Sequence, residues 1–462
     1  MSMDREYLNQ RRLKRGNTGW VLLAGLGVSY VISGDFAGWN FGIAEAGWGG
    51  FVLAALLMGL MYLTLVLTLA ELSAAVPTAG GGYSFARLAL GPAGGFCTGL
   101  AILIEYALAP AAIVIFIGAA VNELVGVDGP VVYALFYAAF IGIHIAGVGE
   151  ALRVMMAITA LAVLAILITA ITLLGDFSAD RLFDIPPAGA ESSRWLPFGW
   201  FGVWAALPFA MWLFLAVEGV PLAAEEARDP SRDVPRGIIG AMLFLLLTAT
   251  VVVVLLAGAA GAESIGRSAV PLVDALNAVG ANESARLVNV LGLAGLIASF
   301  FSIIYGYSRL VFALSRAGYM ARGLSITNQR HIPVRALIVP GVFGFLMSLT
   351  GEGDRMLAMA VVGATVSYAL MAYSHIVLRG RMPELDRPYR TPGGTLTSGI
   401  CLVLALIALT GVYAFDPIAF LLTLSLFVMG GVYYGLFARK HLTVRTAEEE
   451  FELVARAEEE LK

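Results

Sequence analysis

VISGDFAG, residues 31–38, places two glycines and an aspartate in the middle of an apolar run that covers roughly 19–44. AVEGVP, residues 216–221, does the same to a second run over 199–224, with a glutamate, a glycine and a proline. Each run is long enough to cross a bilayer, which takes about 20 apolar residues. Proline removes a backbone donor and glycine loosens the turn before it. Unsatisfied backbone at membrane depth is tolerated only where it is buried in protein or lines a cavity. The two interruptions begin corresponding halves of the chain, five spans apart. Such pairing is the pattern of an inverted repeat that carries a substrate near the bilayer midplane between broken helices.

The rest of the chain fits that frame. Of 462 residues, 59% are hydrophobic and only 13% charged, against roughly 25% charged in soluble domains. Apolar runs fall near 19–44, 48–76, 91–121, 129–148, 152–175, 199–224, 236–261, 286–316, 336–351, 356–379, 396–414 and 417–437. With the N-terminus inside, only Arg181, Arg194, Arg267, Arg286 and Arg355 of the 29 Lys and Arg fall in outer connections. Basic loops stay cytoplasmic, so about twelve spans with both ends inside are expected, in a cell inner membrane. The expected organisation is a cytoplasmic segment 1–18, a transmembrane domain 19–437 and a cytoplasmic tail 438–462. The domain divides into a first repeat 19–175, a second repeat 199–379 and two last helices 396–437. The tail has helical spacing of acidic and apolar residues. No cleavable signal peptide is evident. A net charge of −4 offers no basic face to nucleic acid. Cys97 and Cys401 lie in apolar runs and read as small buried hydrophobes. No HExxH, no GxSxG and no metal-ligand cluster is present, so neither an enzyme nor a cofactor is expected. A channel or a sensor without transport is a further rival, which would bind ligand without accumulating it.

A carboxylate at helix centre costs roughly 2.5–3.5 kcal/mol on insertion scales. Asp35, Glu105 and Glu218 all read as interior, with His375 the one deeply placed basic candidate, near a helix end. Three acids and almost no cations attract a cationic substrate or protons. Phe36 and Trp39 flank the first break, Trp212 and Phe214 the second, and an aromatic face attracts an ammonium group. His144 and His375 read as structural.

VPLAAEEARDPSRDVPRGIIGA (220–241) and GYSRLVFALSRAGYMARGL (306–324) resemble the amino acid–polyamine–organocation transporters. VISGDFAGWNFGIAEAGWGG (31–50), LAELSAAVPTAGGGYSFAR (69–87) and LIEYALAPAA (103–112) are similar to the ethanolamine permease branch of that superfamily. The resemblance implies an all-α integral membrane protein of the LeuT type, with 5+5 inverted repeats plus two additional helices. Amino-acid members hold the substrate carboxylate at a Gly-Ser-Gly-like break. Here the stretch reads Gly34-Asp35-Phe36, where an aspartate repels a carboxylate and phenylalanine fills space. That departure points to an amine with a neutral hydroxyl.

The expected substrate site therefore comprises Ile32, Ser33, Gly34, Asp35 and Phe36, with Glu105, Trp212, Phe214, Leu215 and Ala216. The ammonium is expected at Asp35 or Glu105 beside Trp212, with carbonyls near Ile32 and Leu215 taking its remaining hydrogens. Glu218 is the candidate proton carrier or gate. The expected activity is secondary import of a small amine, ethanolamine first, by proton-coupled alternating access. A cationic amino-acid or polyamine transporter or exchanger is the alternative. Beyond substrate and membrane lipid, a homo-oligomer is compatible with this reading. The driving ion stays open: the fifth span has no lysine, and Ser299 and Ser302 suit either a sodium site or packing.

Overall fold

The computed structural model describes residues 18–442, except 79, 147–150 and 190–191 and the side chains of 151–153. The expected tail helix lies outside the described residues. The described chain is helical: α1 (Trp20–Val31), α2 (Ser33–Phe36), α3 (Phe41–Ala75), α4 (Gly82–Val125), α5 (Pro130–Ala146), α6 (Ala151–Leu173), α7 (Gly199–Trp212), α8 (Pro230–Ala260), α9 (Ala262–Gly266), α10 (Pro271–Ala278), α11 (Asn282–Arg316), α12 (Val334–Ser348), α13 (Gly353–Arg381), α14 (Thr395–Phe415) and α15 (Pro417–Leu436). Nine helices among the described residues are long and apolar enough to cross a membrane. Three shorter apolar helices, Trp20–Phe36, Pro130–Ala146 and Val334–Ser348, fill the remaining expected spans. The protein is a multi-pass membrane protein.

Glycine conformation explains where long helices divide. Gly47, at φ +70, separates a short N-terminal stub of α3 from the long span behind it, close to where the second apolar run begins. A side chain there meets the Pro197 ring as well, so both backbone and space demand glycine. α3 packs chiefly on α7 and α8, and α1 on α8, whereas α4 packs chiefly on α13 and α11. α15 sits outermost and buries only Ala419 and Thr423.

The first break falls at the far end of the stretch that the sequence marks, at Ala37 and Gly38, and runs on to Asn40. Ser33–Phe36 remain helical, and the chain unwinds from Ala37, which is extended, through Gly38 at φ +95 to Asn40. Asn40 holds this segment: its Oδ1 accepts from Gly38 N at 3.2 Å, and its Nδ2 donates to Ile265 O and Ser268 O, both at 2.8 Å. A buried amide thus replaces water for the freed backbone. Gly34 serves a different purpose. A Cβ at Gly34 would lie 2.5 Å from the Trp212 carbonyl oxygen, so the missing side chain lets the two broken helices meet backbone to backbone.

The second break follows α7 at residues 213–216 and leads into a 3-10 helix, Val217–Glu226, that contains Pro221. Ala216 sits at φ +75, in the left-handed region. An alanine held there is strained by about 1–2 kcal/mol, and such outliers cluster at functional sites.

Candidate functional site

The three interior acids separate into two centres. Glu105, from the middle of α4, and Glu218, from the 3-10 segment after the second break, meet at Tyr368 of α13. Tyr368 Oη lies 3.1 Å from Glu105 Oε1 and 2.8 Å from Glu218 Oε2. Tyr106 donates to Glu218 Oε1 at 2.9 Å, and Tyr62 Oη lies 3.4 Å from Tyr368 Oη. Both acids are buried. Tyr368 has one hydroxyl hydrogen and faces two carboxyl groups. It donates to one of them, so a bond to the other requires a proton on that carboxyl. Glu105 Oε2 has no hydrogen-bond partner among the described residues. The arrangement is a two-carboxyl site wired by tyrosines, able to hold and pass a proton.

Asp35 stands apart. Its side chain is 1% exposed, and neither carboxylate oxygen has a hydrogen-bond partner among the described residues. Thr248 of α8 faces it, but that hydroxyl donates to Leu245 O at 3.2 Å. A buried acid without donors is costly; a cation beside it offsets the cost. Around it the breaks are laced together: Trp212 Nε1 donates to Ala37 O at 3.0 Å, and Trp39 Nε1 to Asp35 O at 3.3 Å.

Other expected site residues take varied places. Ile32 O already accepts Asp35 N at 3.1 Å, so it is not a free carbonyl as expected. Ser33 N donates to Ser299 Oγ at 2.9 Å. Phe36 turns away from the break: Cβ atoms at Gly292 and Gly295 of α11 would fall 2.9 and 2.4 Å from its ring. The ring thus fills a notch in α11 and, with Ala37, Phe116, Leu296 and Asn289, lines a small pocket beside the break. Trp212 meets Phe116 edge to face at 6.2 Å. Phe214 packs on Tyr62 at 5.6 Å and on the apolar groove between α3 and α8. Leu215 and Ala216 form the unwound turn itself. Ser299 and Ser302 are engaged between helices: Ser299 Oγ donates to Ser29 O at 2.9 Å, and Ser302 Oγ lies 2.6 Å from Ser29 Oγ. They staple α1 to α11.

Two buried ionic clusters escaped the sequence reading. Arg309 lies inside α11, not in a loop, and bonds Glu226 through Nη2 at 2.8 Å and Nε at 3.1 Å, with its guanidinium 4.3 Å over the Tyr305 ring. Beside it Arg316 meets Glu225 at 3.1 Å, and Arg228 N donates to Thr18 O at 2.9 Å. Together these tie the start of α1 and the end of α11 to the segment after the second break. Near the end of α3, Glu71 accepts from Arg379 Nη2 at 2.6 Å and Nε at 3.0 Å and from Thr391 N at 2.7 Å. Arg387 Nε lies 3.1 Å away and His375 Nε2 3.2 Å. His375 is therefore partner to Glu71, not a counter-charge for the three acids. In the adjoining loop, burial and the Glu71 carboxylate raise the Tyr389 phenol above its ordinary range.

The comparisons with known proteins agree with this architecture. The sequence profile of the amino acid permease family matches residues 19–434. An uncharacterized transporter of Rhizobium meliloti is 28% identical over 84% of this chain and 84% of its own length. The branched-chain amino acid permease BcaP of Bacillus subtilis is 26% identical over 94% of this chain and 95% of its own. The methylthioribose transporter of Bacillus subtilis is 25% identical over 89% of each. With a profile match across nearly the whole membrane domain, and two broken helices meeting backbone to backbone at Gly34 and Trp212, the chain belongs to the amino acid permease family of membrane transporters.

Proposed function

We propose that this transporter imports a small primary amine, ethanolamine by preference, coupled to protons, across a cell inner membrane with both termini cytoplasmic. The observation that carries the substrate class is Asp35, a buried carboxylate beside the first break whose oxygens are faced by the Thr248 hydroxyl, itself turned to Leu245 O. An ammonium group supplies the missing charge and donors. An α-carboxylate on the substrate would face Asp35 with like charge. In this reading the ammonium binds Asp35 between the broken helices, beneath Trp212.

Glu105 and Glu218 carry the proton. Their shared hydroxyl, Tyr368, belongs to α13, while Glu218 belongs to the 3-10 segment that follows the second break. A change in proton number alters how strongly the break is held to the framework helix. A ligand or proton shifts a conformational equilibrium only through a difference in affinity for the two states, and this bond supplies one. The Arg309–Glu226 and Arg316–Glu225 pairs close the basic end, so substrate released inward passes once they part.

One observation favours a second reading. The pocket beside the first break is apolar, with Phe36, Phe116 and Leu296 around the single amide of Asn289. At about 30 Å³ the pocket would have to widen to take an apolar side chain, and the name of the Bacillus subtilis relative BcaP is what points to an apolar amino acid. Cationic amino acids and polyamines are the remaining alternative.

Uptake of radiolabelled ethanolamine into proteoliposomes, with excess unlabelled leucine, arginine, putrescine or choline, separates these. Uptake that ethanolamine alone displaces supports the amine reading. Failure of ethanolamine uptake, with robust leucine or arginine uptake, refutes it.

A further inference from the structure

A large groove lies outside the site described above. It is a groove of about 420 Å³ between α4, α11, α12 and α15, walled by side chains such as Leu103, Leu108, Val311, Val339, Phe343 and Met429. That volume falls within the roughly 300–1,000 Å³ of ligand sites. Its one polar wall group, the Tyr433 hydroxyl, already donates to Tyr319 O at 2.9 Å. Val339, Phe343 and Met429 remain exposed, so the groove faces the hydrocarbon of the bilayer.

One end of the groove is cationic. Arg322 sits between the wall residues Met320 and Leu324, and its side chain is exposed. Arg335 stands four residues before Val339 in α12, on the same face, and is exposed. Its guanidinium reaches the Arg322 turn, lying 2.7 Å from where a Cβ on Gly323 would be. Lys440, just beyond α15, is exposed as well. These residues lie at the end of the spans where the basic loops gather.

We propose that this groove binds an anionic phospholipid, with an acyl chain against Leu103, Leu108 and Phe343 and the phosphate between Arg322 and Arg335. Basic pockets between transmembrane helices are suited to anionic headgroups, and an apolar channel in continuity with the bilayer accepts the chain. The wall residues Leu103, Ile104, Ala107 and Leu108 bracket Glu105 and Tyr106 on α4. A seated chain therefore backs the helix that presents Glu105 to Tyr368 and Tyr106 to Glu218.

The test needs no substrate and is independent of the amine reading. Native mass spectrometry would record lipid retained by the purified full chain, and thermal melting would be followed during titration with phosphatidylglycerol, phosphatidylcholine or soluble glycerol phosphate. Phosphatidylglycerol adducts and a phosphatidylglycerol-specific rise in melting temperature are expected. Arg322→Gln with Arg335→Gln removes two headgroup cations, each contributing about 1 kcal/mol, so phosphatidylglycerol affinity should fall about 30-fold. Val339→Trp, at an exposed wall position, should displace the chain while leaving melting in phosphatidylcholine unchanged. Three results would each overturn the proposal: equal binding of the two lipids, equal stabilisation by glycerol phosphate, or a protein dimer as the species that Val339→Trp disrupts.

Discussion

Tyr368→Phe probes the bond between the two acid-bearing helices with the smallest available change. The ring stays in place against Tyr62, where the two rings meet edge to face at 5.3 Å. Only the hydroxyl is lost, and with it the contacts to Glu105 Oε1 and Glu218 Oε2. Glu218 keeps Tyr106 at 2.9 Å, whereas Glu105 loses the tyrosine hydroxyl bonded to it. A buried donor or acceptor left without a partner costs roughly 1–3 kcal/mol, so a loss of about 2 kcal/mol is expected, most of it at Glu105. Glu105→Gln supplies its own donor for a neighbouring carboxyl and should shrink that loss, giving a coupling energy of about 0.5–3 kcal/mol in a double-mutant cycle. Equilibrium unfolding in mixed micelles gives the energies. Uptake with and without an imposed proton gradient gives the function: exchange at symmetric pH should survive in Tyr368→Phe, while stimulation by the gradient falls. A stability change below about 0.3 kcal/mol, with gradient stimulation intact, would refute the role assigned to the tyrosine-linked acids.

Other substitutions test the remaining parts. Asp35→Asn removes an unpaired buried charge, so the melting temperature should rise while the KM for ethanolamine increases at least about tenfold; loss of stability with unchanged uptake would make Asp35 structural. Gly34→Ala forces a Cβ to 2.5 Å from the Trp212 carbonyl and should abolish monodisperse protein on size exclusion. Gly240→Ala, whose Cβ would meet only Ala24 at 3.9 Å, serves as the tolerated control. Glu226→Gln strips Arg309 of its buried partner and should cost roughly 3–5 kcal/mol, with Glu226→Leu plus Arg309→Met recovering part of the stability but not the closed basic end, read by alkylation of cysteines placed along α1.

Much of the architecture was legible from hydropathy, because a bilayer imposes length and apolarity on every span. Asp35, Glu105 and Glu218 were legible as interior for the same reason. The exact place of the first break was not. Ser33-Gly34 looks like a helix breaker, yet Gly34 is small because Trp212 passes beside it, and the unwound segment is set by Asn40, whose partners Ile265 and Ser268 lie more than 200 residues away. Tyr106 and Tyr368 were missed because a tyrosine in an apolar span reads as packing until its hydroxyl partner is known. Glu71 and Arg309 were missed because a charge near a span end reads as solvated, and only the fold shows each one buried against its partner. The separation of Asp35 from the other acids is likewise a matter of helix rotation, which the interrupted pattern of a broken helix does not specify.

The central claim is that substrate amine and proton cross together, with the proton carried by the Glu105–Glu218 centre. The most direct measurement is the internal pH of proteoliposomes, read with a trapped dye as ethanolamine is added outside. Acidification that ethanolamine elicits and leucine does not, and that Glu218→Gln abolishes while binding of ethanolamine persists, is the predicted result. Ethanolamine entry with no proton movement, or proton movement that follows leucine alone, would contradict the account.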